Sequence, residues 1–211
     1  MCVSRCLQCV GVSLVPMAII CMLSNILLLL PNLEMKFLLE GHVTREATWA
    51  TGLWASGIMV LVGARAILLS SRTRGCCAFR TQMLRQVLSS VLCLLAASTC
   101  CLVSVTGLVQ GPLCLYNATT GQTWDVPLKP SPHSPTPYLY NRTLWSVCLQ
   151  PQGVVQWNVV LFSVMGGASM LQTVLCASNI LNTLLGLIVG PGLCQNQVCE
   201  NQIPACTWTW V

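Results

Sequence analysis

Residues 7–33 contain no charged side chain. A helix needs about 20 apolar residues to cross the hydrocarbon core of a bilayer. Residues 10–30 supply that length, and Pro31-Asn32 ends the run. Comparable runs occupy 48–69, 86–109 and 158–188. Across the 211 residues, 55% are hydrophobic and only 7% are charged, against roughly 25% charged in soluble domains. Such a chain has too little polar surface to meet water everywhere. The reading is an all-α membrane protein: a left-handed four-helix transmembrane bundle over residues 1–190, followed by a tail at 191–211. No polar segment is long enough to bury a core of its own. The opening Met1–Cys9 stretch with Arg5 imitates a signal peptide. No small-x-small cleavage site follows it, so it reads as a retained first span.

Charge then orients the spans. The net charge is +5, but its distribution points to topology rather than nucleic acid. Arg72, Arg74, Arg80 and Arg85 cluster between the second and third runs with no acid among them. The positive-inside rule places that loop in the cytoplasm. With four spans, both termini are then cytoplasmic, and the loop at 111–157 lies outside. Arg65 borders the basic loop from within the second run and is expected to snorkel to the boundary. Trp49 and Trp54 mark the opposite end of that span, at headgroup level.

The 111–157 loop is the one long polar segment. It holds Cys114 and Cys148, two glycosylation triplets at Asn117 and Asn141, and prolines at 127, 130, 132, 135 and 137. The triplets need a lumenal or extracellular position to be used. Cys114 and Cys148 are the only two of fifteen cysteines in the outer loops, and free thiols are rare in that compartment. A bridge between them is expected. The prolines predict a stiff, irregular excursion. The loop lacks paired carboxylates, a nucleophile–base pair and a glycine-rich phosphate cradle. His42 and His133 have no metal-ligand spacing around them. No enzyme activity, metal or cofactor is expected.

Asn25, Gln172, Asn179 and Asn182 are polar residues within the spans. They predict interhelical hydrogen bonds rather than a transport path, because no ionisable group accompanies them at mid-membrane. Small residues allow close helix approach: Gly52, Ser56, Gly57 and Gly63 in the second span, Ser89, Ser90, Ala96, Ala97, Ser98, Ser104 and Gly107 in the third, and Gly166, Gly167, Ala168 and Ser169 in the fourth. At the cytoplasmic boundary, Cys2, Cys6, Cys9, Cys76, Cys77, Cys194 and Cys199 are placed for palmitoylation. Cys6-x-x-Cys9 also has zinc spacing, but no His or acid supports a site. The four arginines beside the inner leaflet are expected to contact anionic lipid.

Several blocks resemble the transmembrane-4 L-six family. They are Met1-Cys2 with Cys6 and Cys9, the run from Asn25 to Asn32, Gly52-Leu53-Trp54 with Gly57-Ile58-Met59, Gly111-Pro112-Leu113-Cys114, the run from Tyr138 to Trp145, and Trp157-Asn158. The blocks fall in order over about residues 1–190. The tetraspanin Cys-Cys-Gly motif is absent, as are the paired cysteines of claudins. Three features depart from the family pattern: Asn158 opens no second triplet, the proline stretch resembles an insertion, and the tail ending Cys206-Thr-Trp-Thr-Trp-Val is atypical. The resemblance implies a surface glycoprotein, tetraspanin-like in topology, that organises integrins or growth-factor receptors in membrane microdomains and so affects adhesion, migration or growth. Its partners would be the lipid bilayer, such receptors, and a second copy of the chain, but no nucleic acid. The plasma membrane is the expected location, with endosomes and lysosomes as alternatives. The competing reading is an accessory subunit of a transporter, channel or proton pump.

Overall fold

The computed structural model describes residues 2–70, 79–118, 121–129 and 138–193. Helix α1 (Cys2–Leu29) stops where Pro31–Leu33 form a 3-10 turn with Asn32 and Leu33 in the left-handed region. Two one-turn helices follow, α2 (Lys36–Leu39) and α3 (Arg45–Thr48). Ala50, at φ 52°, breaks α3 from the second span. That span is composite: α4 (Thr51–Leu53), a π-helical turn (Trp54–Met59) and α5 (Val60–Ser70). Helices α6 (Phe79–Gln110) and α7 (Val154–Leu193) complete the set. Among the described residues, four helical stretches are long and apolar enough to cross a membrane: Cys9–Leu29, Thr51–Leu69, Leu84–Gln110 and Val154–Leu185.

The bundle is a ring. Helix α6 packs on α7, α7 on α1, α1 on α5, and α5 on α6. Lipid offers no hydrophobic drive for this association, so close approach and polar contact must supply it. Close approach is visible at the glycines. A Cβ on Gly107 would sit 2.7 Å from the Phe162 ring, and one on Gly52 would sit 2.6 Å from Met165 Sδ. A Cβ on Gly63 would overlap Cys93 Sγ. Each glycine is therefore a socket for a side chain on another helix. The sockets feed two apolar clusters. One gathers Leu14, Val60, Ile67, Ala97 and Cys176. The other gathers Cys21, Leu28, Cys100, Phe162 and Met165 nearer the disulfide loop.

Polar contacts join the helices as well, one of them across the ring from the second span to α7. Gln172 Nε2 donates to the Ser56 carbonyl at 3.2 Å, and Ser56 Oγ donates back to Gln172 Oε1. Ser56 lies in the π-helical turn and is fully buried. Asn179 Nδ2 donates to Ser90 Oγ at 2.7 Å. Trp157 Nε1 donates to the Leu27 carbonyl at 2.9 Å, and Thr44 Oγ1 to Asn158 Oδ1 at 3.1 Å. The interhelical role expected of span polar residues thus holds for Gln172 and Asn179. Asn182 is exposed instead. Asn25 is fully buried, yet both of its amide atoms and the nearby Thr51 hydroxyl lack a hydrogen-bond partner.

Candidate functional site: the disulfide-closed loop

Gly111, at φ +83°, turns the chain off the end of α6, and buried Pro112 follows. The chain then forms an antiparallel hairpin, β1 (Cys114–Ala118) with β2 (Gly121–Asp125). Cys114 pairs with Asp125 and Leu115 with Trp124, so these residues form the hairpin's base. Leu115 also bridges outward on its other side. Its N–H donates to the Gln150 carbonyl at 2.9 Å, and its carbonyl accepts from Leu149 N–H at 2.8 Å. Next to those two contacts the Cys114–Cys148 disulfide closes, with Cα atoms 5.6 Å apart and a sequence separation of 34. The expected bridge is present.

The returning limb is anchored to the bundle by one aromatic residue. Tyr138 is nearly fully buried, and its hydroxyl donates to the Leu108 carbonyl at 2.6 Å. Burial disfavours the phenolate and pushes the Tyr138 pKa up to about 12. Its own carbonyl accepts from Trp145 Nε1 at 3.0 Å. With Cys114, Val154 and Val155 it forms a small core distinct from the two in the spans.

A second contact ties the loop sideways. The His42 ring stacks on Trp124 with centroids 3.9 Å apart and planes within 7°. Phe37 meets the same indole at 6.3 Å, and Glu40 Oε2 lies 3.3 Å from His42 Nδ1. The loop between the first two spans therefore braces the hairpin's base.

Asn117 is exposed on β1. Asn141 is exposed and caps the 3-10 turn Arg142–Ser146. Its Oδ1 accepts from Thr143 N–H at 3.2 Å and from the Thr143 hydroxyl at 2.6 Å, so the second triplet is preorganised. The Arg142 guanidinium stands over the Trp145 ring at 5.9 Å.

The other expected residues are scattered. Cys9 is exposed near the start of α1, and Arg85 is exposed near the start of α6. Both lie at the end of the bundle opposite the disulfide. Cys2 and Cys6 fall on the first turns of α1, and Arg80 on the first turn of α6. Arg72, Arg74, Cys76, Cys77, Cys194, Cys199, Thr119, His133 and prolines 130, 132, 135 and 137 lie outside the described residues. The hairpin escaped the sequence reading, which expected only an irregular excursion. Its signal was present: Cys114-Leu115-Tyr116 and Thr123-Trp124 are β-favouring runs flanking Gly121. His42 and Phe37 carried no local signal, because their partner Trp124 is remote in sequence.

Among the described residues, no group of three His, Cys, Asp or Glu side chains could hold a metal ion. What the geometry offers is a braced, exposed surface on top of four apolar helices. That combination defines a multi-pass membrane protein with a tetraspanin-like layout. The family model described as L6 membrane protein matches residues 1–193. Transmembrane 4 L6 family member 5 of Bos taurus is 38% identical, covering 90% of this chain and 95% of its own. The member 19 protein of Homo sapiens is also 38% identical, with 86% and 90% covered. The human member 1 protein is 34% identical, with 90% and 95% covered. The chain belongs to the L6 membrane protein family. No solved structure matches it.

Proposed function

We propose that this protein works laterally in the membrane, binding other membrane proteins such as integrins or growth-factor receptors and clustering them, with consequences for adhesion, migration or growth signalling. The observation that carries this reading is the braced hairpin. The disulfide and the His42–Trp124 stack hold the hairpin, and the Tyr138–Leu108 hydrogen bond holds the returning limb, while most of β2 and Tyr140 stay exposed. A preorganised exposed surface loses little entropy on binding. The apolar, outward-facing sides of the four helices supply a second contact face.

In this reading the loop faces the cell exterior and both termini face the cytosol, with the plasma membrane as the principal location. Glycans sit on Asn117 and Asn141. The cysteines at the opposite boundary, among them Cys2, Cys6 and Cys9, carry palmitate, and the arginine-rich loop contacts anionic lipid.

The test is proximity labelling and mild-detergent co-purification of the full chain, compared with a chimera whose residues 111–157 come from another family member. Loss of specific receptors in the chimera supports the loop as the recognition surface. If every partner stays bound, the loop is not that surface. A single stoichiometric complex retained through the spans would favour the accessory-subunit reading instead.

A further inference from the structure

The first loop carries large apolar side chains in an unusual place. Leu33 and Met35 are each 66% exposed, and Leu39 is 86% exposed. All three lie outside the helical stretches that cross the membrane.

Three observations fix where this face sits. First, its height. Phe37 and His42 pack on Trp124, and Trp124 pairs with Leu115 at the hairpin's base, shortly after the third span ends at Gln110. The Pro31–Leu33 turn packs back on α1 and α7. Helix α2 therefore lies low, beside the ends of the spans. Second, its direction. Residues two apart on a helix point about 200° apart. With Phe37 turned toward the hairpin, Met35 and Leu39 face the opposite way. Third, its surroundings. Trp49 and Trp54 are exposed at the same end of the bundle, where the second span begins, and Trp54 Nε1 donates to the Trp49 carbonyl at 3.1 Å. Exposed tryptophans mark the headgroup level. Leu23 and Ile26 are exposed apolar residues in the last two turns of α1, below this level.

We infer that α2 is a lipid-seated element, with Leu33, Met35 and Leu39 in the headgroup–acyl boundary of the leaflet on the disulfide-loop side. The occupant is zwitterionic phospholipid. The one cation on α2, Lys36, is paired across a turn with Glu40 at 3.9 Å, which leaves no basic patch for anionic lipid. An apolar face of this size, set low beside a membrane, gains by partial insertion. Seated there, α2 carries Phe37 and His42 against Trp124 and so sets the level of the hairpin above the bilayer.

The experiment uses the full chain in phosphatidylcholine nanodiscs. An environment-sensitive fluorescent amino acid replaces Leu39 in one sample and Gln122, exposed near the hairpin tip, in another. A phosphatidylcholine carrying a nitroxide high on its acyl chain reports lipid contact, and iodide reports water. The expected result is blue-shifted emission at position 39, with nitroxide quenching at least about 3-fold stronger than at position 122 and iodide quenching correspondingly weaker. Equal iodide quenching at both positions, with no nitroxide effect at 39, overturns the inference. Protection at 39 from both quenchers also overturns it, because protein then covers the face. If the Leu39 variant does not assemble, the same probe at Met35 reads the same face.

Discussion

The spans and the disulfide loop are held together by different physics. Inside the bundle, apolar surface alone contributes little to specificity, because lipid is as apolar as the core. Glycine sockets and a few interhelical hydrogen bonds decide how the helices sit. In the loop, water is the competing solvent. A covalent bridge, stacked aromatics and a buried tyrosine hydrogen bond hold the loop there. A substitution of one kind should therefore be tolerated in one region and damaging in the other.

The largest effect is expected from Cys114→Ser or Cys148→Ser. A bridge spanning 34 positions restricts the unfolded loop by about 4 kcal/mol in the simple chain-entropy treatment. Hydrogen exchange should show β1 and β2 losing protection while α6 and α7 keep theirs. If the spans lose protection equally, the two regions are one cooperative unit and the contrast fails. Next comes Gly107→Val. Its Cβ would enter the space of the Phe162 ring, an overpacking that costs about 1–3 kcal/mol. Unfolding in mixed micelles should report this loss with the hairpin still protected, the converse of the cysteine variants.

Tyr138→Phe removes the donor to Leu108 at the junction of the two regions. Leaving that carbonyl unpaired costs about 1–3 kcal/mol. The same residue gives a pH signature. Its folded pKa is raised from 10.0 to about 12, so the folded state holds the proton more tightly than the unfolded state does. Its contribution is complete below pH 10.0 and is lost as pH rises toward about 12. Thermal melts across that window should show a decline that the Phe variant lacks. The smallest effects separate two buried amides. Gln172→Leu breaks a reciprocal bond with Ser56 and should cost about 0.6–2 kcal/mol. Asn25→Leu removes an amide with no partner and should be neutral or stabilising. Equal losses from both would mean that Asn25 is satisfied in the membrane.

Much of this architecture was legible in residue order. A run without charge such as 7–33 permits few structures in a bilayer, since every backbone group must bond internally. The bridge was legible by elimination, because Cys114 and Cys148 stood apart from the apolar runs. The hairpin was less so: the proline cluster dominated the reading of the loop, while the strand signal spanned only five residues on each side. The fate of the span amides was not legible either. Asn25, Gln172 and Asn182 are chemically alike, and only their place on the helix made one unpartnered, one bonded and one exposed.

Sequence alone determined the four spans, the loop between the third and fourth, and the cysteines that close it. Those features follow from length, polarity and composition, which are local properties read against two solvents. Tertiary structure decided that Phe162 fills the gap at Gly107, that Ser56 meets Gln172 and that His42 lies flat on Trp124. These contacts join residues 55, 116 and 82 positions apart. No local pattern encodes such pairs, because each exists only after the helices have chosen their neighbours and rotations.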